Sequence, residues 1–145
     1  MKCWVSVVSK EHALRGIAGG FMQACHGKAA PLKRMKPGDL FMFYCPAMTM
    51  GGTEKVQRFL SLGTVKNKEA YQFEMSPDFH PFRRDIEFIP GSASLESALI
   101  SSLKDLSIKS KLRFGFFDLP EADFISIVSS MGLDQIEAWV EKCYH

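Results

Sequence analysis

Leu40-Phe41-Met42-Phe43-Tyr44-Cys45 is a continuous apolar run, bounded by Asp39 on one side and Pro46 on the other. A strand with one solvated face alternates apolar and polar residues, whereas an unbroken apolar run needs cover on both faces. The segment therefore reads as a central strand, and the rest of the chain has to supply two packing layers. Immediately upstream, Lys36-Pro37-Gly38-Asp39 is a turn, with room for one helical turn from Pro31 to Lys36 before it.

Further back, Cys3 to Val8 is short and rich in β-branched and aromatic residues, as strands are, and Ser9 can cap a following helix. Ala13, Leu14 and Ile17 keep helical spacing, and Gly19-Gly20 ends that helix by supplying positive φ without steric cost. Downstream of the central strand and Gly51-Gly52, the segments Arg58 to Val65, Ala70 to Met75 and Asp85 to Ile89 read as consecutive strands of a curved sheet or barrel. Ser94 opens an expected helix carrying Leu95, Leu99, Leu103 and Leu106 on one side, and Leu112 to Phe117 reads as a further strand. Asp118 and Glu121 have capping-box spacing ahead of a stripe formed by Phe124, Ile125, Val128 and Met131, with Gly132 as its stop. Asp134 and Glu137 repeat the spacing at the start of a last amphipathic helix. The pattern is α+β, organised as one domain over residues 1–145.

Bulk properties narrow the classes. A chain of 145 residues with 46% hydrophobic content closes a core without metal or disulfide staples. No stretch approaches a membrane span and the amino terminus has no apolar signal region, so a cytoplasmic protein without membrane contact is expected. Cys3, Cys25, Cys45 and Cys143 show no Cys-x-x-Cys spacing, which argues against a disulfide framework or a zinc knuckle; neither metal nor cofactor is expected. Charge is uneven: residues 1–113 carry 17 Lys/Arg against 10 Asp/Glu, and residues 114–145 carry one against six. A basic body is compatible with a phosphate-bearing ligand.

Candidate chemistry is concentrated in a few places. His26 to Gly38 holds Lys28, Lys33, Arg34 and Lys36 without an acidic residue, which is either a field for phosphate oxygens or a solvated lysine-rich turn. Phe79-His80-Pro81-Phe82-Arg83-Arg84 interleaves rings with guanidinium groups that can stack on bases; it can equally be a loop anchored by buried phenylalanines. Trp4, Phe21, Phe43, Tyr44 and Phe82 come from segments a barrel can bring together, and about two of the five are expected to line a slot while the others pack the core. Cys25 and His26 are a nucleophile and a base by type, but chain neighbours rarely point at each other and no third group orients them. No catalytic activity is expected.

Trp4-Val-Ser-Val-Val-Ser9, the segment from Gly19 to Asp39 and Phe43-Tyr44 resemble the EVE-domain family. Gly63-Thr64-Val65, Pro81 to Phe88 and Phe114 to Phe124 extend the resemblance to about Val128, leaving residues 133–145 outside it. The resemblance implies a PUA-like curved β-barrel of about five or six strands flanked by helices. It also implies kinship with YTH readers of methylated adenine in RNA, and a cage built from the end of the first strand and the segment after the first helix. On that basis Ser9 and Lys10 end the first strand, Phe21, Gln23, His26 and Lys28 form the segment, and Tyr44 and Cys45 close the central strand nearby. Phe82 would add an aromatic contact, and Lys33, Arg34, Arg83 and Arg84 would steer a nucleic-acid backbone. One departure stands out: the tryptophan of eukaryotic relatives falls at Phe21 or Met22, implying a different cage. The expected function is a monomeric, non-catalytic module that recognises a modified base in DNA or RNA. The alternatives are a protein that binds a small molecule or nucleotide, and an enzyme using Cys25 or His26.

Overall fold

The computed structural model describes residues 1–23 and 28–132. Among these residues seven strands form one sheet: β1 (Cys3–Val7), β2 (Phe21–Met22), β3 (Leu40–Ala47), β4 (Lys55–Val65), β5 (Tyr71–Gln72), β6 (Phe82–Phe88) and β7 (Phe116–Asp118). Their order is β2-β6-β4-β3-β1-β7, with β5 paired to β6. β1 and β3 run parallel and the other pairings are antiparallel, so the sheet is mixed. Among the described residues three α-helices flank it: α1 (Lys10–Gly19), α2 (Ala29–Lys33) and α3 (Glu121–Ser130). The sheet curls into a half-barrel whose path ends at β2 and β7.

The apolar run at residues 40–45 is the structural centre. Leu40, Met42 and Tyr44 enter one core with Val5, Phe59 and the α3 residues Phe124 and Ile127. Phe41, Phe43 and Cys45 enter a second core with Trp4, Ala13, Leu32 and Ile86. Two-residue periodicity thus divides one strand between two layers. The helix after β1 follows its local signals: the Ser9 hydroxyl accepts from the His12 N–H at 3.3 Å, and Gly20 closes the helix in the left-handed region at φ 73°. Asp39, buried at the turn before β3, accepts from the Lys2 N–H, the Trp4 indole N–H and the Lys36 N–H, fastening β1 to that turn.

Other expectations need correction. β1 ends at Val7, so Ser9 and Lys10 belong to the helix start, and the strand expected over residues 70–75 is the two-residue β5. The leucine spacing from Ser94 onward does not produce an α-helix; short 3-10 turns occupy Ser92–Ser94 and Ile100–Ser102. β4 explains why. Its register against β3 shifts twice, with Gln57 and Ser61 at positive φ, and the bulges leave backbone groups that the following segment satisfies. The Ser97 hydroxyl accepts from Phe59 N–H, the Leu95 carbonyl from Ser61 N–H, and the Ser92 hydroxyl donates to the Leu62 carbonyl. Residues 112–117 are likewise split, the first three in a 3-10 turn at Lys109–Phe114 that precedes β7. Asp118 lies in β7 opposite Trp4 and does not cap α3, which starts behind Pro120 without a side-chain cap. The helix expected beyond Gly132 lies outside the described residues.

Candidate functional site

Where the half-barrel stays open, β2 and the turn before β7 face each other across a cavity of about 740 Å³. Phe43 supplies part of its apolar wall, because the alternation along β3 turns that ring to the side of Phe41 and Phe88. Val8 and Ser9 ahead of α1 and Gly16 within it line one wall, and Phe21, Met22 and Gln23 line the opposite wall. Ser6, fully buried on β1, donates its hydroxyl to the Gln23 carbonyl at 3.1 Å and bridges the two walls. The exposed side chains of Met50, Met75, Phe79 and Phe114 also border the cavity. Half of the eight large exposed hydrophobics among the described residues therefore gather here, and clustered exposed apolar surface marks binding.

Arg83 organises the polar part. Its guanidinium carbon lies 3.8 Å from the Phe21 ring centroid and 3.8 Å from that of Phe73, a cation held between two aromatic faces. Its Nε donates to the Gln23 side-chain oxygen at 2.5 Å. Burial lowers the pKa of Arg83, opposed by Tyr71, yet a guanidinium remains charged at neutral pH and has no acceptor atoms. The Gln23 oxygen must therefore face Arg83, which turns the amide NH₂ away from it, a donor pair with no partner among the described residues. Arg15 and Arg113 are the other charged lining residues, and no carboxylate lines the cavity among the described residues. Arg15 also pairs with Glu11 across one helical turn at 2.7 Å. No group of three or more metal-ligating side chains is assembled among the described residues, and no helix there is long and apolar enough to cross a membrane.

The EVE domain profile matches residues 2–130. The chain belongs to the EVE-domain family. A UPF0310 protein of Streptococcus mutans is 41% identical over 138 residues, covering 92% of this EVE domain's chain and 99% of its own. A Pseudomonas syringae protein solved by crystallography superposes with a TM-score of 0.58 at 17% identity, covering 89% of this chain and 99% of its own. Human THYN1, solved in complex with DNA containing 5-methylcytosine, superposes with a TM-score of 0.53 at 14% identity, covering 92% of this chain and 99% of its own.

Of the residues expected to form a cage, the EVE domain brings Ser9, Phe21 and Gln23 to the cavity, and Arg83 lines it too. Arg83 was expected at a nucleic-acid backbone and instead belongs to the cavity wall. Lys10, expected to end β1, opens α1 and pairs with Glu96, which also lies 3.9 Å from Arg58. Tyr44 was expected at the ligand but faces the other core, packed edge-on against Phe59, and burial pushes its phenol pKa up. Cys45 is fully buried and its thiol is pushed up to about 12, chiefly by burial; at neutral pH it stays protonated. Phe82 packs half-buried against the core and does not border the cavity. Arg84, expected to contact a backbone, is buried and donates to the Leu32 and Met35 carbonyls at 2.9 and 2.7 Å. Lys28 and Lys33 are exposed, and exposed Arg34 lies over the Trp4 and Phe116 rings. His26 and Cys25 lie outside the described residues.

Of the five aromatic candidates, Phe21 and Phe43 border the cavity, while Trp4 is buried with its indole N–H on Asp39. Sequence reasoning missed His12, Met50, Phe73, Phe114 and Arg113. Nothing local marks them, since they converge from a helix face and three separate loops.

Proposed function

We propose that this EVE domain is a non-catalytic nucleic-acid reader that takes a single base, extruded or unpaired, into the cavity between β2 and the turn before β7. The observation that carries this reading is the cavity's composition: mostly apolar walls, an aromatic rim, and three arginines without a carboxylate among the described lining residues. Its volume lies within the range of about 300–1,000 Å³ typical of small-ligand sites, enough for a nucleoside. A base entering there has aromatic faces to stack on and excludes water from the slot, while Arg15 and Arg113 at the margin meet flanking phosphates. The Gln23 amide, oriented by Arg83, offers donors to acceptor atoms on the base edge. Modification is read by fit, since an added methyl group fills apolar space beside Phe43 and Met22 that an unmodified base leaves empty. The shared fold of human THYN1, solved with 5-methylcytosine DNA, supports the same class of ligand.

The test is a titration of the full chain with single- and double-stranded DNA and RNA oligonucleotides carrying methylated or otherwise modified bases, beside unmodified controls. A preference for one modified base, weakened in Gln23→Ala and Phe21→Ala, is expected. Affinity should fall steeply with salt through counterion release. Equal binding of modified and unmodified strands removes the modified-base part of the reading. Salt-independent binding of a free small molecule in place of any oligonucleotide overturns it altogether.

A further inference from the structure

On β6, Arg83 and Arg84 project to opposite sides of the sheet, as neighbours along a strand do. Arg83 enters the base cavity, and Arg84 enters a second cavity of about 560 Å³ that it shares with Lys33, Lys36, Asn67, Lys68 and Glu69. Arg84 is 4% exposed, and its Nη1 is spent on the carbonyls of Leu32 and Met35, which fixes the guanidinium plane. Its Nε is buried and has no hydrogen-bond partner among the described residues. No carboxylate lies within ion-pair distance of Arg84 among the described residues. Asp39 is already engaged by three N–H donors, and Glu69 is exposed to water.

Burial lowers the Arg84 pKa despite the opposing charges of Asp39 and Glu69, so a buried cation with an unused donor is stabilised further when an anion arrives. The charged residues around it are cationic except for Glu69. Lys33 and Lys36 are exposed and free of ion pairs among the described residues, whereas Lys68 lies 3.7 Å from Asp85 and over the Tyr71 ring. A planar guanidinium held by two carbonyls, flanked by exposed ammonium groups, suits a tetrahedral oxyanion with several acceptor oxygens.

We infer that this second cavity is a phosphate-binding site, in which the Arg84 Nε–H and the ammonium groups of Lys33 and Lys36 hold the phosphate oxygens. The phosphate is either the terminal group of a nucleotide or strand end, or an internal group of a polynucleotide backbone. The inference does not rest on base recognition in the first cavity.

The experiment follows the Arg84 Nε–H signal by NMR in the ¹⁵N-labelled full chain during titration with inorganic phosphate, beside sodium chloride at matched ionic strength. A saturable shift with phosphate alone is expected. Lys33→Gln/Lys36→Gln should keep the phosphate-free spectrum and weaken phosphate about tenfold, as expected when charge-assisted contacts are lost. Gln23→Ala should titrate as the parent does, which separates failure of this site from failure of the base reader. Dinucleotides with and without a 5′-phosphate identify the source: saturation by the phosphorylated form alone indicates a terminal phosphate, and saturation by both indicates a backbone phosphate. An Arg84 signal that ignores phosphate or follows chloride equally overturns the inference, as does a double variant that titrates like the parent.

Discussion

Gln23→Glu isolates the role assigned to the Gln23 amide better than a truncation does. The Gln23 oxygen accepts from Arg83 Nε at 2.5 Å, and the Ser6 hydroxyl binds only the Gln23 backbone carbonyl. A glutamate of nearly the same shape keeps both contacts, and the bond from the charged Arg83, already charge-assisted, gains a charge on its acceptor as well. Thermal stability should therefore hold or rise. The face turned to the ligand changes from two N–H donors to a carboxylate oxygen. The loss of one hydrogen bond removes about 1 kcal/mol, and setting acceptor against acceptor in a dry slot adds roughly 1–3 kcal/mol. The sum predicts about 30- to 900-fold weaker binding of the preferred oligonucleotide. Fluorescence anisotropy against that oligonucleotide, beside a melting curve of each protein, measures both quantities. A folded Gln23→Glu protein that binds within about threefold of the parent would refute the donor role.

Asp39→Ala strips three N–H groups of their acceptor and should cost about 3–5 kcal/mol of unfolding free energy in a urea titration; a loss below about 1 kcal/mol contradicts the anchoring role. Gly16→Ala would ordinarily favour a helix by roughly 1 kcal/mol. Here the added Cβ would lie 2.6 Å from the Phe21 carbonyl oxygen and 3.2 Å from the Phe43 ring, so lower stability and weaker oligonucleotide binding are expected together. Cys45 is raised from 9.0 to about 12 in the folded chain, so the unfolded chain loses this proton first and stability should fall as pH climbs from 9 toward 12. Tyr71, raised from 10.0 to about 12 by burial and its bond to Asp85, adds to the fall above pH 10. Unfolding free energies measured across that range should show a shallower slope in Cys45→Ala; an unchanged slope contradicts the assignment to Cys45.

Much of the architecture was legible wherever a local rule operates. Ser9 and Gly20 bound α1 because capping depends on a few adjacent atoms, and the apolar run at Leu40–Cys45 became the central strand because two-sided burial leaves no place for a polar residue. Local rules failed where distant groups competed. The leucines after Ser94 carry a helical period, but the bulged β4 recruits their backbone, and Asp118 has cap spacing yet pairs in a strand.

The candidate site divides in the same way. Residue type, together with the family resemblance, pointed to Phe21 and Gln23, which line the cavity, and to the EVE-domain family, since those signals lie in contiguous segments. Which of Phe43 and Tyr44 meets the cavity, and which of Arg83 and Arg84 enters which pocket, are questions of strand phase. A shift of one residue turns a side chain from one face of the sheet to the other. That phase is set by pairing and bulges far along the chain, so only the tertiary structure could decide that Arg83 orients Gln23 while Arg84 lies buried behind it.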